Sequence, residues 1–255
     1  MSGTIDILQE GNVVTLVMNR PDKKNALTDA MYGQMREALE RAQDDAGVRV
    51  VIIRGAGDMF CAGNDIGDFL SVTGAGDIRE ANVFRLIRLL GTFPKPLIAG
   101  VQGRAVGIGT TMLLHCDYVV LAENAMLTTP FVSLGLVPEA ASSLLLPNRT
   151  GHQRAFAMLA MGEAVSAPDA LAAGLANAVV PIAGLDDAVA KAASLLAQLP
   201  PGSVQATKAL MRDAETVGAK MDEEIAIFVK RLQSAEAREA FTAFMEKRQP
   251  DFSKF

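Results

Sequence analysis

The chain has 255 residues, of which 50% are hydrophobic and 21% are charged, and its formal net charge is −5 at pH 7. This composition is typical of a globular protein, and the acidic balance argues against nucleic-acid binding, which depends on positive charge. No apolar run approaches the roughly 18 residues of a membrane span, and the N-terminal residues lack the features of a signal peptide. The two cysteines form no C-x-x-C pair, which argues against a zinc site. We therefore expect a cytoplasmic protein that binds neither membrane nor nucleic acid.

Strands and helices alternate through the first half of the chain. Two β-branched runs, at 5–7 and 13–18, flank the turn residues Glu10-Gly11-Asn12 and predict an opening hairpin. Thr28 and Asp29 precede an amphipathic segment and predict the start of a helix that ends near Gly47. The later predicted elements are a buried strand at 48–53, a helix at 84–90, a strand at 97–101, an apolar helix through Leu114 and a strand at 118–122. This alternation predicts an α/β fold.

From about Thr150, alanine-rich helical segments replace the β-branched clusters. Helices are predicted at 152–161, 168–174, 185–198, 203–213, 220–234 and 236–247. Linker-like residues occur at Gly74-Ala75-Gly76 and at Pro200-Pro201-Gly202, and the second segment divides the chain into a core, 1–200, and a helical region, 201–255. The helical region carries an apolar face, which we expect to be buried by self-association. Its members are Ile225, Phe228, Leu232, Phe241 and Phe244.

Two glycine-rich loops, at 59–66 and 103–109, each follow a predicted buried strand. Neither completes a dinucleotide-binding fingerprint, because Phe60 and Met112 stand where the third glycine belongs. Glycine lets a backbone approach a ligand closely, and a loop that opens a helix leaves N–H groups unpaired. Two such loops can direct two N–H donors at one oxygen, which is the arrangement of an oxyanion hole. An ordinary tight turn is the alternative for either loop.

Three motifs follow one another in the chain: FCAGNDI, then PKPLIAGVQGRAVGIGTTMLLHCDYVVLAENA, then TPFVSLGLVPEAASSLLLP. In order and spacing they resemble the crotonase superfamily, the enoyl-CoA hydratase/isomerase family. The resemblance extends from Asn19-Arg20-Pro21 to the terminal FTAFMEKRQPDF. It implies a spiral of ββα units with C-terminal helices, assembled as a homotrimer or a dimer of trimers. It also implies an acyl-CoA thioester as substrate, an enolate intermediate, and no metal or redox cofactor.

The resemblance implies roles for individual residues as well. The backbone N–H groups of Asn64 and Ile108 would form the oxyanion hole. The residues implied to contact substrate or CoA are Ala26, Ala62, Gly63, Asp65, Ile66, Gly107, Phe228, Phe244 and Lys247. Four of these side chains also have a simpler interpretation: the two phenylalanines would pack between helices, Lys247 would be a solvated charge, and Asp65, like Asp68, would start a helix.

The acid/base residue distinguishes the branches of the family. Hydratases carry two glutamates, and this sequence has Thr111 and Phe131 at those positions. Glu139 matches the single catalytic glutamate of one branch of Δ3,Δ2-enoyl-CoA isomerases, which implies isomerisation of 3-enoyl-CoA to trans-2-enoyl-CoA. The alternatives are a hydratase, a non-catalytic CoA-binding homologue and an RNA-binding homologue.

Local sequence offers another interpretation of Glu139. Pro138 followed by an acid is a common helix start, where the helix dipole stabilises the carboxylate. Such a helix end would lower the pKa of Glu139, whereas the apolar residues around it would raise that pKa. The sequence leaves the direction of the shift open.

Overall fold

A six-stranded sheet forms the centre of the protein in the computed structural model, which describes residues 3–73 and 80–255 and, of these, not the side chains of 70–73. The predicted linker Gly74-Ala75-Gly76 lies outside the described residues. In spatial order the strands are β1 (Thr4–Glu10), β2 (Val13–Asn19), β3 (Val50–Gly55), β4 (Leu97–Val101), β6 (Tyr118–Ala122) and β9 (Ala178–Val180).

The predicted hairpin is confirmed, because β1 pairs antiparallel with β2 around Gly11, whose φ is +59°. All other pairs of this sheet are parallel. Parallel strands end at the same edge of a sheet, so the loops that leave β3 and β4 start side by side. These are the two glycine-rich loops, and the sheet topology alone brings them together.

A second sheet of three short strands was not predicted. It consists of β5 (Arg104–Val106), β7 (Met126–Thr128) and β8 (Val165–Ser166). Strands of two or three residues are too short for an alternating pattern to identify them. Because β8 and β9 both follow Thr150, the prediction of a purely helical last third is wrong.

The described part of the chain contains the following α-helices: α1 (Asp29–Asp44), α2 (Ile66–Thr73), α3 (Asn82–Thr92), α4 (Ile108–Thr111), α5 (Ser142–Thr150), α6 (His152–Leu159), α7 (Ala167–Ala172), α8 (Leu185–Gln198), α9 (Pro201–Met211), α10 (Ala214–Leu232) and α11 (Ala235–Met245). The predicted cap of α1 is confirmed, since the Thr28 side chain accepts a hydrogen bond from the N–H of Met31. None of these helices is long and apolar enough to cross a membrane.

The core has two layers, one on each face of the six-stranded sheet. Val51 and Ile53 of β3 pack in the layer that contains α1, α3 and α10, whereas Val50 and Ile52 pack against α8. This alternation is that of a strand buried on both faces, as the continuous apolar sequence of 48–53 predicts. The helices therefore cover both faces and leave the ends of the parallel strands for the connecting loops.

The C-terminal helices pack on the core of their own chain, with α10 lying against α3 and α5. Ile225, Phe228 and Phe241 are almost fully buried there. The expectation that this face is buried by self-association is therefore wrong for these three residues. The most exposed large apolar side chains of the region are instead Leu210 and Met211 at the end of α9, which are 89% and 83% exposed. The division into domains 1–200 and 201–255 stays a prediction.

Candidate active site

The two glycine-rich loops touch each other beyond the ends of β3 and β4. The N–H of Cys61 donates to the carbonyl of Arg104 at 3.1 Å, and the N–H of Val106 donates to the carbonyl of Cys61 at 2.9 Å. A Cβ atom on Gly63 would lie 3.0 Å from the carbonyl oxygen of Val106. The loops are thus in backbone contact, and Gly63, with φ +90°, is needed for both its conformation and its small size.

Asn64 follows this contact and forms a parallel bridge with Leu27. The bridge is made by the neighbours of Asn64: the N–H of Leu27 donates to Gly63, and the N–H of Asp65 donates to Leu27, both at 2.8 Å. In a parallel bridge, the residue whose two neighbours make the hydrogen bonds points its own N–H away from the partner strand. The N–H of Asn64 therefore faces away from Leu27.

Ile108 is the first residue of α4 and follows Gly107, whose φ of +56° and ψ of −120° are accessible only to glycine. The first N–H groups of a helix have no partner within the helix. Among the residues that the structure describes, no hydrogen bond uses the N–H of Ile108 or of Asn64. Both predicted oxyanion donors are therefore available to a ligand.

Glu139 is 6% exposed. Its Oε1 accepts a hydrogen bond of 2.5 Å from the hydroxyl of Thr111, and its Oε2 has no hydrogen-bond partner within the described part of the chain. Burial raises the pKa of Glu139 to about 8, the Thr111 hydrogen bond opposes this shift, and the negative charge of Glu224 adds to it. A buried carboxyl group with one free oxygen and a raised pKa is a candidate acid/base residue.

The backbone after Glu139 is not a helix start. Ala140 and Ala141 both adopt left-handed conformations, with φ of +60° and +54°, and α5 begins only at Ser142. The interpretation of Pro138 as the first helical residue is therefore wrong. The segment turns instead, and the carbonyl of Glu139 accepts a hydrogen bond from the N–H of Ser142 at 3.1 Å.

His115 supports the same turn from the core. Its Nδ1 accepts from the guanidinium of Arg212 at 3.0 Å, so its Nε2 carries the proton and donates to the carbonyl of Ala140 at 2.8 Å. Burial lowers the pKa of His115 to about 3, with the charge of Arg212 acting in the same direction. The ring is thus neutral, and its contacts are structural.

Tyr32 is a site residue that sequence reasoning missed. Its hydroxyl donates to the side-chain oxygen of Asn64, and burial raises the pKa of Tyr32 well above its usual value, so that the phenol keeps its proton. A narrow cleft adjoins this pair and is lined by Leu27, Asp29, Tyr32, Asn64, Asp68, Phe69, Ala81 and Val83. A single tyrosine in an amphipathic helix carries no sequence signal of such a role.

The chain is similar in sequence and in structure to known proteins. The sequence profile described as "Enoyl-CoA hydratase/isomerase" matches residues 9–254. The chain belongs to the enoyl-CoA hydratase/isomerase family. It is 34% identical over 251 residues to the 1,2-epoxyphenylacetyl-CoA isomerase of Escherichia coli (strain K12), covering 96% of each chain. It is 36% identical over 248 residues to enoyl-CoA delta isomerase 2 of Rattus norvegicus, covering 95% of this chain and 63% of the relative.

A solved enoyl-CoA hydratase/isomerase from Pseudoalteromonas atlantica T6c shares the fold, with a TM-score of 0.92 and 39% identity over 98% of this chain and 99% of that one. The predicted α/β crotonase fold is therefore confirmed. Both isomerases and hydratases occur among the relatives, so family membership leaves the reaction open.

Four residues that the family resemblance assigns to the CoA moiety lie close to one another in the chain's fold. The guanidinium of Arg20 donates to the carbonyl of Ala26 at 3.1 Å and to the carboxylate of Asp65 at 2.8 Å. The N–H of Ala62 donates to the carbonyl of Lys24 at 3.0 Å, and Ile66 begins α2 directly after Asp65. Asp65 also accepts from the N–H of Asp68 at 3.1 Å, as a helix-start acid does.

The three C-terminal residues of the predicted CoA set occupy different environments. Phe228 is 3% exposed and packs edge-on against Phe69 and Phe84. Its side chain therefore packs between helices, as the simpler interpretation predicts. Phe244 is 59% exposed, and Lys247, which follows the end of α11, is exposed as well. Contact of Phe244 and Lys247 with CoA stays a prediction. Among the described residues, no cluster of His, Cys, Asp or Glu could hold a metal ion.

Proposed function

We propose that this protein isomerises 3-enoyl-CoA thioesters to trans-2-enoyl-CoA thioesters, with Glu139 as the only acid/base residue. The observation that carries the proposal is the Glu139 carboxyl group, which is buried and hydrogen-bonded to Thr111 through Oε1, while Oε2 has no hydrogen-bond partner among the described residues. A 1,3-proton shift needs one group that removes a proton and returns it. We assign both transfers to Oε2, which is buried and has no hydrogen-bond partner among the described residues.

The proposed reaction begins with the thioester carbonyl oxygen against the N–H groups of Asn64 and Ile108. Glu139 removes a proton from C2, and the electrons of that C–H bond form the carbon–carbon double bond of an enolate. The two donors stabilise the negative charge on the enolate oxygen. When the carbonyl re-forms, the double bond moves to C2–C3, and the former C3–C4 pair takes the proton from Glu139 at C4.

The raised pKa of Glu139 suits both transfers. Once ionised, a carboxylate with a pKa of about 8 is a stronger base than an exposed glutamate, and it releases its proton more readily than a stronger base would. The CoA thioester supplies the carbonyl that acidifies C2. The proposed reaction therefore needs no metal or redox cofactor.

Hydration is the alternative, and hydratases occur among the relatives. Adding water across a double bond needs a group that activates water and a group that protonates the α-carbon. Thr111, at one of the two hydratase positions, is engaged with Glu139, and Phe131, at the other, has no ionisable group. The arrangement of acid/base groups therefore favours isomerisation.

The test is a paired assay of the purified protein with 3-hexenoyl-CoA and crotonyl-CoA. We expect isomerisation of the first to be faster than hydration of the second. Glu139→Gln keeps the size of the side chain but removes the base, so it should lower turnover by about 10²- to 10⁴-fold. The exposed Glu163→Gln is the matched control and should leave turnover unchanged. Faster hydration by the wild-type protein, or full isomerase turnover by Glu139→Gln, would show the proposal to be wrong.

A further inference from the structure

Glu224 of α10 is a buried carboxylate that the proposed reaction does not use, and it lies next to the turn that follows Glu139. Its Oε2 accepts from the N–H of Ala141 at 2.6 Å, and its Oε1 accepts from the N–H of Ser143 at 2.9 Å. It is 5% exposed. One carboxylate from α10 thus accepts hydrogen bonds from the N–H groups on either side of Ser142.

These contacts replace a missing helix cap. Ala141 is the N-cap residue of α5 and its side chain can accept no hydrogen bond. Such a helix start leaves N–H groups unpaired, and a negative charge beside them is favourable. Glu224 supplies both the acceptor and the charge from another part of the chain, 83 residues away from Ala141.

The same turn needs support because its backbone is strained. Ala140 and Ala141 are both left-handed, a conformation that alanine rarely adopts. On the other side of the turn, the carbonyl of Glu139 accepts from the hydroxyl of Ser142 at 2.5 Å. Loss of the acceptors at Glu224 would let these residues relax, and Glu139 would move with them.

We propose that Glu224 is a positioning residue, which fixes the backbone turn at Ala140 and Ala141 and thereby directs Oε2 of Glu139 toward the substrate. This inference rests on the proposed function for its catalytic consequence. The position of Glu139 is then set from two sides: Thr111 holds its carboxyl group, and Glu224 holds the backbone that follows it, at Ala141 and Ser143.

The charge of Glu224 gives the proposal a second consequence. Among the described residues, the groups that face Glu139 are Thr111 from α4, Tyr32 from α1 and Glu224 from α10. Burial raises the pKa of Glu224 itself, while its hydrogen bonds to Ser143 and Ala141 and the charge of Lys220 oppose that rise. Of the groups that face Glu139, Glu224 is the one that brings a negative charge to it. Removing that charge lowers the pKa of Glu139, so the rise of activity with pH should move to lower pH.

The experiment compares Glu224→Gln with Glu223→Gln. Glutamine keeps the volume of Glu224 but replaces one acceptor oxygen with a donor, so one N–H of the turn loses its partner. Glu223 is the adjacent residue, is exposed, and pairs with Lys220, so its variant removes the same charge without touching the turn. We expect Glu224→Gln to lower kcat by about 10- to 100-fold, since small misplacements of a base have effects of this size.

Separate measurements of kcat and KM distinguish a loss of positioning from a general loss of structure. KM for 3-hexenoyl-CoA should change by less than about twofold, because the oxyanion and CoA contacts remain. The rising limb of the pH–rate profile should shift to lower pH in Glu224→Gln and stay in place in Glu223→Gln. Wild-type kcat and pH profile in Glu224→Gln, or equal losses in both variants, would overturn the proposal.

Two NMR measurements test the proposal without turnover. The amides of Ala141 and Ser143 should exchange slowly with solvent in the wild-type protein, and fast exchange of both would contradict the proposed contacts. The carboxyl ¹³C resonance of Glu139, assigned with Glu139→Gln, should titrate at lower pH in Glu224→Gln than in the wild type. If the wild-type protein does not isomerise 3-hexenoyl-CoA, the proposed function fails, and the titration still decides whether Glu224 controls Glu139.

Discussion

Glu139 binds a proton more tightly in the folded protein than in the unfolded chain. Its pKa rises from 4.5 to about 8, chiefly because burial disfavours the charged form. A carboxyl group with a raised pKa contributes stability that is complete below about pH 4.5 and is lost as the pH rises through about 8. The residue that the proposed chemistry needs in its ionised form is therefore destabilising in that form.

This linkage predicts a pH-dependent gain of stability in Glu139→Gln. Glutamine cannot ionise, so the variant avoids the cost of a buried charge, and the melting temperatures should diverge as the pH rises from about 5 to about 8. Each kcal/mol of difference corresponds to about 2–4 °C for a chain of this size. Thermal unfolding followed by circular dichroism measures the effect, with Glu163→Gln as control. Melting curves of wild type and Glu139→Gln that stay parallel across this range would contradict the raised pKa.

The residues predicted from the sequence differ from those it did not predict in how far along the chain their partners lie. The roles predicted for Asn64 and Ile108 depend on backbone groups that neighbouring glycines position, so a local motif is enough to predict them. Tyr32 and Glu224 act through contacts with residues 32 and 83 positions away in the chain. Neither residue stands in a motif, and only the folded chain reveals what it touches.

The glycine-rich loops form an element whose geometry depends on backbone conformations closed to other residues. Gly63 combines a positive φ with a close approach to Val106. An alanine there must strain its own backbone and displace the second loop. This strain would disturb the contact between the two loops, which places Asn64 beside the strand ends.

The same substitution should therefore have opposite effects in two elements. Gly63→Ala should destabilise the protein by about 1 kcal/mol or more and lower isomerase turnover, because a left-handed alanine costs about 1–2 kcal/mol. Gly218→Ala, inside α10 and with open space around its Cβ, should stabilise by about 0.5–1 kcal/mol and leave turnover unchanged. Urea unfolding and the 3-hexenoyl-CoA assay measure both. A Gly63→Ala variant as stable and active as the wild type would refute this account of the loop.

Long elements were predicted well and short ones poorly. The hairpin, α1, β3, β4 and β6 follow from periodicity and caps that lie within the elements themselves. The start of α5 was not predicted, because its N–H groups are capped by Glu224 rather than by a nearby side chain. A helix whose cap comes from another helix gives no local signal of where it begins.

At the scale of the whole molecule, the two most exposed large apolar side chains of the described residues lie at the end of α9. Leu210 and Met211 are almost fully exposed, and Leu195 and Leu199 are about half exposed. Large exposed apolar surfaces are typical of protein–protein interfaces. We propose that the end of α9, rather than the buried face of α10, mediates the trimer that the family resemblance implies.

Analytical ultracentrifugation should therefore find a trimer or a hexamer at micromolar concentration. Leu210→Ser should shift the distribution toward monomer, because it removes apolar surface from the proposed interface. Leu171→Ser is the control, since Leu171 is exposed on α7, outside the proposed interface. A monomeric wild-type protein, or equal assembly of wild type and Leu210→Ser, would exclude this interface.

The sequence by itself determined the α/β class, the two glycine-rich loops, and the absence of glutamate at both hydratase positions, where Thr111 and Phe131 stand. These are properties of short segments and of residue identity. The tertiary structure alone decided that burial outweighs any helix dipole at Glu139, because α5 begins after a strained turn instead of at Pro138. It also decided that the apolar face of α10 belongs to the core of its own chain. Burial depends on what packs against a residue from distant parts of the chain, and no local pattern records that.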